Sequence, residues 1–133
     1  MNQHYPLVSE RAGHRCEYCR APEVIFNFPF EVEHIIPIAQ NGADDVTNLA
    51  LACRCCNLWK ADHLTGVDEP AQGAVRLYDP RRDVWDEHFS LDASTATIQG
   101  LTATGRATVN LLKMNGTPQV MARRQWLRLG LYL

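Results

Sequence analysis

Apolar and polar residues alternate from Phe30 to Ile36, placing Phe30, Val32, His34 and Ile36 on one face of an expected strand and Glu31, Glu33 and Ile35 on the other. Pro37 closes that strand, because it has no N–H to give to a ladder. Leu49-Ala50-Leu51-Ala52 predicts a second short strand, and Asn41-Gly42-Ala43-Asp44-Asp45 between the two has the composition of a loop. The two strands therefore make a hairpin with an enlarged connection. Helical spacing follows, with Asn57, Lys60, Ala61 and Leu64 on one face and a break at Gly66. A shorter helical turn is expected from Leu7 to Ala12, ended by Gly13.

Residues 66–75 read as a linker, because Gly66-Val67-Asp68-Glu69-Pro70-Ala71-Gln72-Gly73 is mostly polar and carries two glycines and a proline. The linker separates a unit at 1–65 from an extension at 76–133. Ala96-Thr97-Ile98-Gln99 is strand-like, Thr102 is placed to cap a helix running to Met114, and Asn115-Gly116 stops it. Thr117-Pro118 restarts a helix in which Val120, Arg124 and Leu127 share one face and Ala122, Trp126 and Leu129 another. A strand and a helical hairpin are thus expected after the linker, and the fold class is α+β.

Composition narrows the setting. Apolar residues make up 46% of the 133, but no stretch approaches the roughly 20 consecutive apolar residues of a membrane span. Met1-Asn2-Gln3-His4-Tyr5-Pro6 is polar and unlike a secretory leader, so a cytoplasmic protein with no membrane partner is expected. The net charge of -2 is unusual for a chain that grips a polyanion, since that affinity comes mainly from Lys and Arg displacing counterions. The charge is unevenly spread: residues 1–70 carry 5 basic and 10 acidic side chains, and residues 71–133 carry 8 and 5. The second half is the expected phosphate-holding one.

Cys16 and Cys19 enclose two residues, as do Cys53 and Cys56. This spacing lets a tight knuckle aim two thiolates at one ion about 2.3 Å away, and two such pairs complete a tetrahedral zinc site. The 33 residues between the pairs exceed the usual zinc-ribbon gap, so an independent element sits between them. Disulfides are the alternative, but an odd count of five cysteines and a reducing compartment favour metal. Pairing Cys53 with Cys56 rather than with Cys55 preserves the spacing and leaves Cys55 as the spare thiol.

The order of these residues resembles the HNH endonucleases over about residues 14–63. The resemblance is carried by Cys16/Cys19, Glu33-His34, Asn48-Leu49, Cys53/Cys56, and Asn57 with Lys60. It implies a ββα-metal fold, a hairpin and one helix around a divalent cation, here clamped by the four-cysteine zinc site. It also implies hydrolysis of phosphodiester bonds in DNA. His34 would be the general base, because an imidazole titrates near neutrality and can take a proton from water. Glu33 and Asn57 would hold a catalytic Mg²⁺ or Mn²⁺, hard ions that prefer oxygen donors. Asn48 would support the site by bonding loop backbone or the imidazole of His34.

Two residues depart from the family pattern. Asn57 stands where histidine is frequent, which favours Mg²⁺ or Mn²⁺ over softer ions. The loop keeps one glycine of a frequent pair, so Asn41 is expected to take the left-handed conformation. Lys60, Arg81 and Arg82 are candidate phosphate contacts, with Arg106, Arg123, Arg124 and Arg128 as further candidates. RNA is an alternative substrate, and a homodimer would be one route to double-strand cleavage. The alternative reading, from a different class, is a catalytically silent zinc module that binds nucleic acid or protein.

Overall fold

The computed structural model describes residues 1–71 and 73–132. Helix α1 spans Tyr5–Arg11 with Pro6 in its first turn, and Gly13 at φ +65° turns the chain into the first cysteine knuckle. Strand β1 (Glu31–His34) pairs antiparallel with β2 (Leu49–Ala52), matching Glu33 to Ala50 and His34 to Leu49. Helix α2 (Arg54–Lys60) packs on this hairpin, which completes a ββα unit.

The alternation along β1 is as the sequence predicts, but the core lies under the face bearing Glu33 and Ile35, while Ile36 is exposed. Every residue of β2 is buried, so the hairpin is covered at β2 and opens at β1. Helix α2 begins three residues earlier than Asn57, because the Cys53 thiol caps it by accepting the Cys56 N–H at 3.4 Å. Ala61, at φ +47°, ends it.

Residues 66–75, expected as a linker, instead belong largely to a hairpin of β3 (Thr65–Asp68) and β4 (Gly73–Arg76). Polar composition concealed this strand pair, because one of its faces meets water and Asp68 is matched internally by the guanidinium of Arg106 at 3.0 Å. A short helix α3 (Trp85–His88) leads into β5 (Phe89–Asp92), which pairs with β6 (Thr97–Gly100). Helix α4 (Ala103–Leu111) packs on both β3 and β6, capped by Thr102, whose hydroxyl accepts the Gly105 N–H at 3.0 Å. A Cβ on Gly105 would stand 2.1 Å from the His88 carbonyl oxygen, so only glycine allows this close approach.

Helix α5 (Thr117–Arg128) brings Trp126 against Phe26 and Tyr132. The halves share one buried cluster, in which Val8, Leu49 and Leu51 join Tyr78, Trp85, Phe89, Ile98 and Leu112. The extension is also tied to the first knuckle by hydrogen bonds. Trp85 Nε1 donates to the Tyr18 carbonyl at 2.8 Å, and the Tyr132 hydroxyl donates to the Cys19 carbonyl at 2.6 Å. Among the described residues, no helix is long and apolar enough to cross a membrane.

Candidate active site and zinc centre

The thiols of Cys16, Cys19, Cys53 and Cys56 are all buried, and their sulfurs lie within 4.8 Å of one another. Cys19 Sγ and Cys53 Sγ are 3.7 Å apart. Four sulfurs about 2.3 Å from a central zinc would be separated by about 3.8 Å, so the cage has the right size. Each knuckle folds its own backbone onto sulfur: Cys19 N–H donates to Cys16 Sγ at 3.5 Å and Cys56 N–H to Cys53 Sγ at 3.4 Å. Burial raises the Cys16 thiol, but hydrogen bonds from Cys19, Cys53 and Cys56 overcome it and hold Cys16 well below the ordinary thiol range. Contacts with Cys16 first and then Cys19 push Cys53 and Cys56 upward. So crowded a set ionises together only around a cation, and the donor set fits a structural metal such as zinc. Cys55 stays outside the cage and accepts a hydrogen bond from Gln119 Nε2 at 3.1 Å.

A cleft of about 330 Å³ opens between β1 and α2, lined by Val32, Glu33, His34, Pro37, Ile38, Asn57, Ala61 and Asp62. The His34 side chain is 26% exposed, with Nε2 at 2.9 Å from Asp44 Oδ1. Asn48 pins the connection that carries Asp44. Its Nδ2 donates to the carbonyls of Ile36 at 2.9 Å and Ala43 at 2.8 Å, and its Oδ1 accepts the Ile36 N–H at 2.9 Å. Asn41 is left-handed at φ 69°, as the sequence predicts. Gly42 presses on the strand exit: a Cβ there would lie 1.8 Å from the Ile36 oxygen and 2.9 Å from Asn48 Nδ2. Gly42→Ala is therefore expected to displace the loop and lower thermal stability, by about 1–3 kcal/mol as an overpacking change, with thermal unfolding as the measurement.

The family model described as HNH endonuclease matches residues 16–63. The match spans 48 of the 133 residues. No curated protein and no solved structure gives a match. The matched span begins at the first cysteine of the cage and ends just beyond α2, so it holds both knuckles, the ββα unit and the cleft.

Within the matched segment, the cleft brings His34 and Asn57 together but directs the carboxylate of Glu33 inward. Glu33 is 6% exposed, accepts a hydrogen bond from the Tyr18 hydroxyl, and pairs with Lys60 Nζ at 3.1 Å. Burial pushes its carboxyl upward, with Lys60 and Tyr18 opposing. Asn57 turns its amide nitrogen to Glu31, which also meets Arg54 at 3.1 Å. The geometry of α2 explains both contacts. Asn57 and Lys60, one turn apart on the helix, face Glu31 and Glu33, two residues apart on β1.

Lys60, expected at a phosphate, is 2% exposed and donates to the carbonyls of His34 at 3.3 Å and Ile35 at 2.9 Å. Its charge is matched inside the protein by Glu33. Arg81 is likewise taken up, by Glu17 and by the Leu49 carbonyl at 3.3 Å. Arg106 is bound to Asp68, and Arg123 is buried with its guanidinium on the carbonyls of Ala96 and Met114, each at 2.8 Å. Arg82 is exposed and remains available for phosphate.

Sequence reasoning missed Asp44 and Glu31. Period-two spacing from Glu33 pointed to Glu31 sharing its face, whereas nothing in the local pattern connects Asp44 to a residue ten positions earlier.

The buried pair carries a prediction of its own. Lys60→Met leaves a carboxylate without its cation, and the expected cost at neutral pH is about 3–5 kcal/mol. Glu33 already has a raised folded-state pKa, and losing Lys60 raises it further. The folded form then binds the proton more tightly than the unfolded form, so stability rises as pH falls through that pKa. Denaturant titrations of the variant at pH 5 and pH 8 are expected to show partial recovery at the lower value.

Proposed function

We propose that the chain is an endonuclease that hydrolyses phosphodiester bonds in DNA, with His34 taking the proton of the attacking water. The carrying observation is His34 at the mouth of a cleft inside a segment that matches the HNH endonucleases. The ring is half-buried and oriented by a carboxylate, so it can reach a phosphate outside the protein while keeping a fixed angle. Asn48 holds the surrounding backbone, and Lys60 fixes the carbonyl of His34. Arg82 offers a phosphate contact on the exposed side.

The residues expected to hold Mg²⁺ or Mn²⁺ do not fit that task as they stand. Glu33 is paired with Lys60 and accepts the Tyr18 hydroxyl, and Asn57 presents its amide nitrogen to Glu31. The same observation favours the second reading, a zinc module that binds nucleic acid or protein without cutting it. A cytoplasmic setting suits reduced zinc thiolates, and cutting both strands would call for a dimer or two encounters.

Zinc-loaded protein incubated with supercoiled plasmid is expected to yield nicked circles in Mg²⁺ or Mn²⁺, and a chelator mild enough to spare the zinc tests whether a divalent cation is needed. Parallel single-stranded DNA and RNA substrates define the polymer. Intact substrate in every tube, with zinc content verified, would give the second reading first place.

A further inference from the structure

We infer that Asp44 is the positioning residue of His34: it holds the ring with Nε2 protonated and leaves Nδ1 as the atom that takes the proton from water. The inference rests on the nuclease reading above and assigns a role and a ring nitrogen that the HNH match leaves open.

An ionised carboxylate only accepts hydrogen bonds, so at 2.9 Å from Asp44 Oδ1 the Nε2 of His34 must carry the hydrogen. A neutral imidazole has one N–H, so Nδ1 is then unprotonated and basic. Among the described residues, Nε2 is the ring nitrogen that meets a protein partner, and the ring lines the cleft. Asp44 is itself set in place by the connection between β1 and β2. Asn48 Nδ2 binds the carbonyl of the preceding Ala43, and Asp45 caps the following turn by accepting the Thr47 N–H at 2.9 Å.

Proton bookkeeping closes on this geometry. A water O–H bond breaks, its proton goes to Nδ1, and the oxygen bonds to phosphorus. The bond from phosphorus to the leaving oxygen breaks, and that oxygen takes a proton from solvent. His34 is then a cation facing the Asp44 carboxylate, and returns to its starting state by losing the Nδ1 proton to solvent. The other charged groups around the ring are Glu33 beside it on β1, turned inward, Lys60 from α2 on the His34 carbonyl, and Asp62 across the cleft. The Asp44 side chain is 68% exposed, so water screens its charge and orientation of the ring is its main contribution.

The test combines a spectrum with a rate. Imidazole ¹⁵N shifts of the zinc-loaded protein, with His34 assigned by loss of its signals in His34→Ala, are expected to report the Nε2–H tautomer. In Asp44→Ala the signals should move toward a mixture of tautomers. Asp44→Asn is expected to lower nicking by about 10–100-fold, in the range of losses seen when a residue that orients a catalytic histidine or metal ligand is removed. A Nδ1–H tautomer in the native protein, or Asp44→Asn matching the native rate across pH while His34→Ala is inactive, would overturn the inference. Equal activity in His34→Ala and the native protein would instead sink the nuclease reading, and the spectrum would still decide the tautomer.

Discussion

Replacing His34 with alanine is expected to cut plasmid nicking by about 10²–10⁴-fold, the range a general base contributes, without changing zinc content or thermal unfolding. The separation between activity and stability follows from where the ring sits. Its side chain is partly exposed and bonds Asp44, itself at the surface, so truncation removes little buried apolar contact. The backbone of His34 does more of the structural work, through its pairing with Leu49 and the bond from Lys60 Nζ to its carbonyl, and neither needs the ring. A matched variant is therefore informative. Residual cleavage that is equal in both proteins, measured on the same plasmid after the same purification, would assign the activity to something other than this cleft.

The His34 ring was legible in the sequence because its neighbours have spacings with a physical meaning. Two cysteine pairs with two intervening residues specify a knuckle, and alternation around His34 specifies a strand. Asn41 was legible for a similar reason, since the loop had lost a glycine and asparagine tolerates positive φ. What the chain pattern did not reveal was the destination of charge. A lysine three residues after Asn57 is the same string whether it meets phosphate or turns inward, and only the packing of α2 on β1 puts Lys60 beside Glu33. The fate of Arg81 and Arg123 was hidden in the same way, by partners 64 and 27 positions away. The hairpin at β3 and β4 escaped because its inward polar residue, Asp68, is matched by Arg106 from α4, a contact that hydrophobic alternation does not register.

The second large effect concerns the metal. Stripping zinc with a strong chelator is expected to unfold the whole chain, because structural zinc binding is worth about 10–16 kcal/mol in small zinc domains and single domains are stable by only about 5–15 kcal/mol. The four cysteines sit at the points that define the ββα unit. Cys16 and Cys19 precede the hairpin, while Cys53 caps α2 and Cys56 lies in its first turn. The structure extends the expected loss to the C-terminal half, since Trp85 and Tyr132 bond the carbonyls of Tyr18 and Cys19, and Leu112 and Met114 share a buried cluster with all four ligands. Near-ultraviolet circular dichroism, which reports fixed aromatic packing, should therefore collapse together with the far-ultraviolet signal in the chelated protein and in Cys53→Ser. Cys55→Ser is the internal control. Its sulfur lies outside the cage and meets Gln119, so zinc stoichiometry should stay at one and the change in stability within about 1 kcal/mol. Retention of the near-ultraviolet signal after complete zinc removal would mean that the shared core holds without its clamp. Zinc loss from Cys55→Ser but not from Cys53→Ser would mean that the ligand set is drawn from the other pairing.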